Sequence, residues 1–143
     1  MTKQEQGATG LTRDTGWQIG LRRTLDAPVE LIGAWMLSTS GREIWLGEGP
    51  DFLFEVGQDY ELLDGTSGRI KVYQPDSHWR ITRNPPDSAY FRPSLIQIRI
   101  IRSGEKTTVA FHEEHLPSES ERQTRKAFYL GVIDKMKDAL GLV

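Results

Sequence analysis

The sequence predicts one α+β domain: a curved antiparallel sheet of about six to seven strands wrapped around a long C-terminal helix, with two short helices after the first strand. Three observations carry this expectation. Apolar and polar residues alternate through most of residues 52–116. Turn-forming clusters such as Asp64-Gly65-Thr66-Ser67-Gly68 and Pro75-Asp76-Ser77 interrupt those runs at hairpin spacing. After Pro117 the period becomes helical, with Phe128, Val132, Ile133, Met136 and Leu140 on one face.

The elements follow in order. Trp17, Ile19, Leu21 and Leu25 share one parity, which predicts a first strand over about 17–25. Asp26-Ala27-Pro28 then opens a short helix to about residue 37, with Asp26 as a candidate cap. Ser38-Thr39-Ser40-Gly41 breaks it, and a second short helix through Ile44 and Trp45 stops at Gly47. Strand alternation is expected at Phe52, Phe54 and Val56, at Tyr60 and Leu62, at Ile70 and Val72, and at Trp79 and Ile81. Asn84-Pro85-Pro86-Asp87 makes a longer connection to a strand carrying Ile96, Ile98 and Ile100. Its hairpin partner has Val109, Phe111 and Glu113 on the inner parity. Ser118 with Glu121 three residues on is a capping box for the last helix. Consecutive hairpins with one covered face need that helix as the cover, and a strongly curved sheet around one helix tends to enclose a cavity.

Composition narrows the function classes. A chain of 143 residues fits one domain, and 37% hydrophobic with 27% charged residues is ordinary for a globular protein. Eighteen basic against twenty acidic residues give a net charge of -2, so no nucleic-acid partner is expected. The absence of cysteine excludes disulfides, thiolate catalysis and cysteine-bound metals. Residues 1–16 are polar and Gly/Thr-rich; they read as a disordered leader ahead of a domain over 17–143, lacking the run of about seven apolar residues of a signal peptide. No segment approaches the roughly 18 apolar residues of a membrane span, and a cytoplasmic location is expected.

A set of short motifs resembles the START-like helix-grip (SRPBCC) superfamily, and within it the homologues of the Hsp90 ATPase activator's C-terminal domain. Asp26-Ala27-Pro28 is similar to the family's lead into its first helix, and Trp45-Leu46-Gly47 to the close of its second. Val56-Gly57 before Tyr60, Gly68-Arg69-Ile70 through Pro75, Glu113-Glu114-His115-Leu116-Pro117 and Ile133-Asp134-Lys135-Met136-Lys137 resemble further family motifs in the family's order, covering about residues 17–141. Three positions depart from the pattern. Gln58 replaces the second Gly of a turn, His115 stands where Gly is common before Leu-Pro, and Phe128-Tyr129 replaces a Gly-Trp pair in the last helix. The resemblance implies the helix-grip fold and a pocket between sheet and helix, with the two aromatics narrowing it.

Catalytic motifs are scarce. Gly65-Thr66-Ser67-Gly68 is one residue short of a nucleophile elbow and sits in a hairpin loop. His112-Glu113-Glu114-His115 is one residue short of a zinc motif, and strand residues three apart face opposite sides. No catalytic residue, metal or cofactor is therefore assigned. The candidate ligand-binding residues are Trp35, Tyr60, Trp79, Arg83, Ile98, Phe111, Glu113, Tyr129 and Ile133. Glu113, with Arg83 or Tyr129, would give the cavity a polar end; alternatively Glu113 and Arg83 lie near strand ends and reach water. Arg122, Arg125, Lys126, Lys135 and Lys137 read as a solvated helix face.

Three functions follow. The first is binding of a small apolar or amphipathic molecule, a lipid or an aromatic metabolite. The second is a cyclase- or dehydratase-type enzyme using Glu113, Tyr129 and Tyr60 as acid and base. The third is a protein-partner role of the co-chaperone kind, which rests on fold resemblance alone.

Overall fold

The computed structural model describes residues 10–12 and 16–143. The expectation of a disordered leader falls mostly on residues 1–9 and 13–15, outside that range. Within it, β1 (Leu11–Thr12) pairs with the start of β2 (Gly16–Leu25). Then come α1 (Val29–Leu37), α2 (Thr39–Trp45), β3 (Asp59–Glu61), β4 (Ser67–Gln74), β5 (His78–Arg83), β6 (Ser94–Ser103), β7 (Lys106–Leu116) and α3 (Glu119–Leu140). Among the described residues the strands form one antiparallel sheet in the order β1-β2-β7-β6-β5-β4-β3. The molecule is α+β, a curved sheet gripping a C-terminal helix, with two short helices after the long first strand.

The helix boundaries have local causes. Pro28 itself is the N-cap of α1, in extended conformation and with no side-chain cap, so Asp26 does not take that role. Ser38 ends α1 and its hydroxyl accepts from the Gly41 amide to cap α2. Gly41 is required at this corner, because a Cβ there would overlap the Trp35 carbonyl. Trp45 then anchors the corner: it is fully buried and its indole N–H donates to the Met36 carbonyl at 2.7 Å. On α3, the Ser118 hydroxyl accepts from the Glu121 amide at 3.1 Å, and Gly141, in the left-handed region at φ 70°, closes the other end.

One expected strand is not a strand. Phe52, Phe54 and Val56 lie in an irregular segment. The two phenylalanines of that alternation pack as rings, Phe52 on Tyr60 at 5.4 Å and Phe54 on Trp79 at 5.3 Å and Tyr73 at 5.2 Å, while Val56 is exposed. A segment whose side chains fill the core this way gains burial without a ladder partner.

The inner face is uniformly apolar over Ile70, Trp79, Ile81, Ile96, Ile98, Ile100, Val109 and Phe111. Tyr129, Val132, Ile133 and Met136 of α3 pack onto it. Near the end of β7 the pairing with β2 shifts between Trp17 and Ile19. There His115 takes φ 65°, which lets Leu116 turn into the core. This is the position at which the resemblance expects Gly, the residue that adopts such a backbone without strain.

Candidate functional site

The inner parity of β7 ends on Glu113. Its register neighbours are Ile19 on β2 and Ile96 on β6, so the carboxylate lies in the interior of the sheet and is 0% exposed. An ionised carboxylate in such a place costs several kcal/mol unless partners replace its water. Four donors do so. Arg125 Nε donates to Oε1 at 2.7 Å and Tyr129 Oη donates to the same oxygen at 2.6 Å. Arg83 Nη1 donates to Oε2 at 3.1 Å and Ser94 Oγ to the same oxygen at 2.5 Å. These fill the acceptor positions of the group.

The donors are themselves fixed. Arg125 is 5% exposed, and its Nη2 donates to Tyr129 Oη at 3.1 Å. Its guanidinium lies 4.3 Å from the Phe128 ring centroid and 4.9 Å from that of Tyr129. Tyr129 stacks on Phe111 at 4.8 Å. On the other side, Arg83 Nη1 also donates to Tyr90 Oη at 3.2 Å, and that hydroxyl donates to Glu121 Oε1 at 2.6 Å. Tyr90 is the one buried residue in the irregular stretch between Arg83 and Ser94. Its ring lies beside the Arg83 guanidinium, whose Cζ is 5.4 Å from the ring centroid.

Burial pushes the Glu113 carboxyl upward, but Arg125, Arg83 and the Ser94 and Tyr129 hydroxyls outweigh it and hold the group down at about 2. Burial raises Tyr129 and Tyr60 well above the ordinary phenol value, and Tyr90 to about 12. Glu113 therefore carries no proton to give at neutral pH, and the phenols keep theirs. For the cyclase-type reading this makes Glu113 a carboxylate already holding protein donors on both oxygens, and Tyr129 and Tyr60 protonated phenols.

The sequence-predicted site residues separate into two groups. Glu113, Arg83 and Tyr129 meet in one network; Glu113 and Tyr129 are fully buried, while Arg83 ends β5 with its side chain 13% exposed. Trp79, Ile98, Phe111 and Ile133 are fully buried core residues, and Trp35 is nearly so. Tyr60 is buried too, its hydroxyl donating to the Thr82 carbonyl at 2.6 Å, on the far side of Arg83 from the network's centre. Two depressions, of about 540 Å³ and 430 Å³, are lined by residues of the sheet and its connections and by no residue of α3.

Arg125 corrects the expectation of a wholly solvated basic face on α3. Its spacing held the signal: Arg125 stands four residues before Tyr129 and continues the stripe of Tyr129, Val132 and Met136 backward. Ser94 had a similar signal, on the parity of Ile96 and Ile98. Glu121 was legible as a capping residue, but its carboxylate turns to Tyr90 instead. Nothing but its size distinguished Tyr90 within an irregular connection.

Neither a protein-family model nor a curated protein matches the sequence. Solved structures do. An HSP90 activator from Plasmodium falciparum superposes with a TM-score of 0.72 at 11% identity, covering 88% of this chain and 97% of that one. The Aha1 dimer protein from Colwellia psychrerythraea gives 0.63 at 14% identity, over 83% and 95% of the two chains. CalU16 from Micromonospora echinospora gives 0.69 at 19% identity, over 82% and 71%. The chain has the helix-grip fold of the Hsp90-activator homologues. In helix-grip terms, the Glu113 network lies where the gripping sheet meets the first turns of the gripped helix.

Proposed function

We propose that this helix-grip protein binds a small, largely apolar molecule at the end of the grip, with the molecule's polar group at the Glu113 network and its apolar body against α3. The observation that carries the reading is the network itself. Two guanidiniums and a carboxylate are buried in an otherwise apolar interior, where hydrophobic residues of similar volume would be neutral or stabilising. The Tyr90 ring lies beside Arg83, and the Phe128 and Tyr129 rings lie against Arg125. A few convergent polar groups in an apolar surround are suited to orienting a ligand.

A titration tests this. Fluorescent apolar probes, dansyl-undecanoic acid for lipids and 1-naphthylacetic acid for aromatic metabolites, are added to the whole chain. Saturable binding of one probe per chain, with quenching of tryptophan emission, is expected. Linear, non-saturating signal with both probes overturns the reading. The co-chaperone reading draws only on shared fold with the HSP90 activator, and stimulation of a chaperone ATPase by this chain is the measurement that would raise it above the binding reading.

A further inference from the structure

We infer that the head group of the bound molecule is a carboxylate and that Arg83 reads it; this rests on the binding reading above. Glu113 cannot read a head group, because protein donors already occupy both its oxygens. Arg125 is committed too, to Glu113 through Nε and to Tyr129 through Nη2.

Arg83 is different. Its Nη1 serves both Glu113 and Tyr90, while its Nε and Nη2 make no hydrogen bond to any described residue. The Nε–Nη2 edge of a guanidinium is the fork that takes a carboxylate by two parallel bonds. The side chain is 13% exposed and lies beside the Tyr90 ring, its Cζ 5.4 Å from the ring centroid.

Charge points the same way. Arg83 and Arg125 share Glu113 as their direct ion-pair partner, while Asp64 acts on Arg83 at longer range and Glu121 reaches it through the Tyr90 hydroxyl. A ligand carboxylate would supply the same charge directly, and a charge-assisted bond to guanidinium is stronger than one to a neutral phenol oxygen. Tyr90 is also well placed to leave. Residues 86–89 and 91–93 on either side of it are exposed, so the stretch carries few buried contacts apart from Tyr90 itself.

The test uses each acid with its own methyl ester: dansyl-undecanoic acid and 1-naphthylacetic acid, titrated against the wild-type chain. For at least one pair the acid should bind about tenfold or more tighter than the ester. The pair that shows the preference separates a lipid-like source of the carboxylate from an aromatic one. Equal affinity of acid and ester in every saturating pair overturns the inference and leaves the binding reading standing. No saturation by any of the four probes overturns both. Arg83→Lys keeps a cation for Glu113 but lacks the fork; it should lose most of the acid preference. A preference surviving intact in that variant removes Arg83 from the role.

Discussion

Arg125 Nε and Glu113 Oε1 meet at 2.7 Å, both side chains almost completely out of water. The pair joins the first half of α3 to the middle of the sheet, so the grip is closed at one end by charge and along the rest by apolar packing. Removing Glu113 leaves Arg125 buried without a counter-charge, whereas removing Arg125 leaves Glu113 paired with Arg83 alone.

Glu113→Gln keeps the volume and hydrogen-bonding shape but leaves two guanidiniums facing a neutral amide. We expect a loss of about 3 kcal/mol in urea unfolding at neutral pH. A loss under about 1 kcal/mol would mean that water, rather than Glu113, balances Arg83 and Arg125.

The same pairing sets an acid limit on stability. Folding pulls the Glu113 carboxyl from its ordinary value near 4.5 down to about 2. A group depressed on folding stabilises the native state above its unfolded value and loses that contribution as pH falls through the folded value. Stability should therefore drop by about 3 kcal/mol between about pH 5 and pH 2 on account of this group. Urea midpoints across that range should fall in the wild type more steeply than in Glu113→Gln; parallel curves would contradict the assignment.

Gly68→Ala tests the other side of Arg83. A Cβ at Gly68 would run into the Thr82 carbonyl and the Tyr60 ring that crosses it. The Tyr60 ring cannot move without breaking its bond to the same carbonyl. Overpacking of this kind should cost about 2 kcal/mol, read from the shift in thermal midpoint. An unchanged midpoint would mean that β3 and β4 separate easily there.

Tyr90→Phe should cost only about 1 kcal/mol, the worth of its two hydrogen bonds beyond ring burial. Loss of several kcal/mol would make Tyr90 a structural element and not a side chain able to leave.

The fold was legible because its periods are clean. Ile96, Ile98 and Ile100 alternate strictly, and the step from Phe128 to Leu140 is helical throughout. The Phe52–Val56 segment misled because apolar alternation does not report hydrogen bonding, and aromatic rings can be buried without a ladder. In the site, Glu113 was found because a carboxylate on an inner parity is anomalous. Arg125 escaped because an Arg among Lys and Arg on a helix is read as surface unless its spacing to Tyr129 is given weight over its charge. Tyr90 carried no periodic signal at all. Its position depends on contacts to Arg83 and Glu121, from two different elements, which only the fold brings together.

The most direct test of the central claim is an amide NMR titration of the uniformly labelled chain with the saturating probe. Binding at the end of the grip predicts shifts concentrated at Arg83, Tyr90, Ser94, Glu113 and the first turns of α3. Shifts confined to Lys71, Arg80 and Leu95, in a depression that no α3 residue lines, would place the ligand elsewhere and contradict the account.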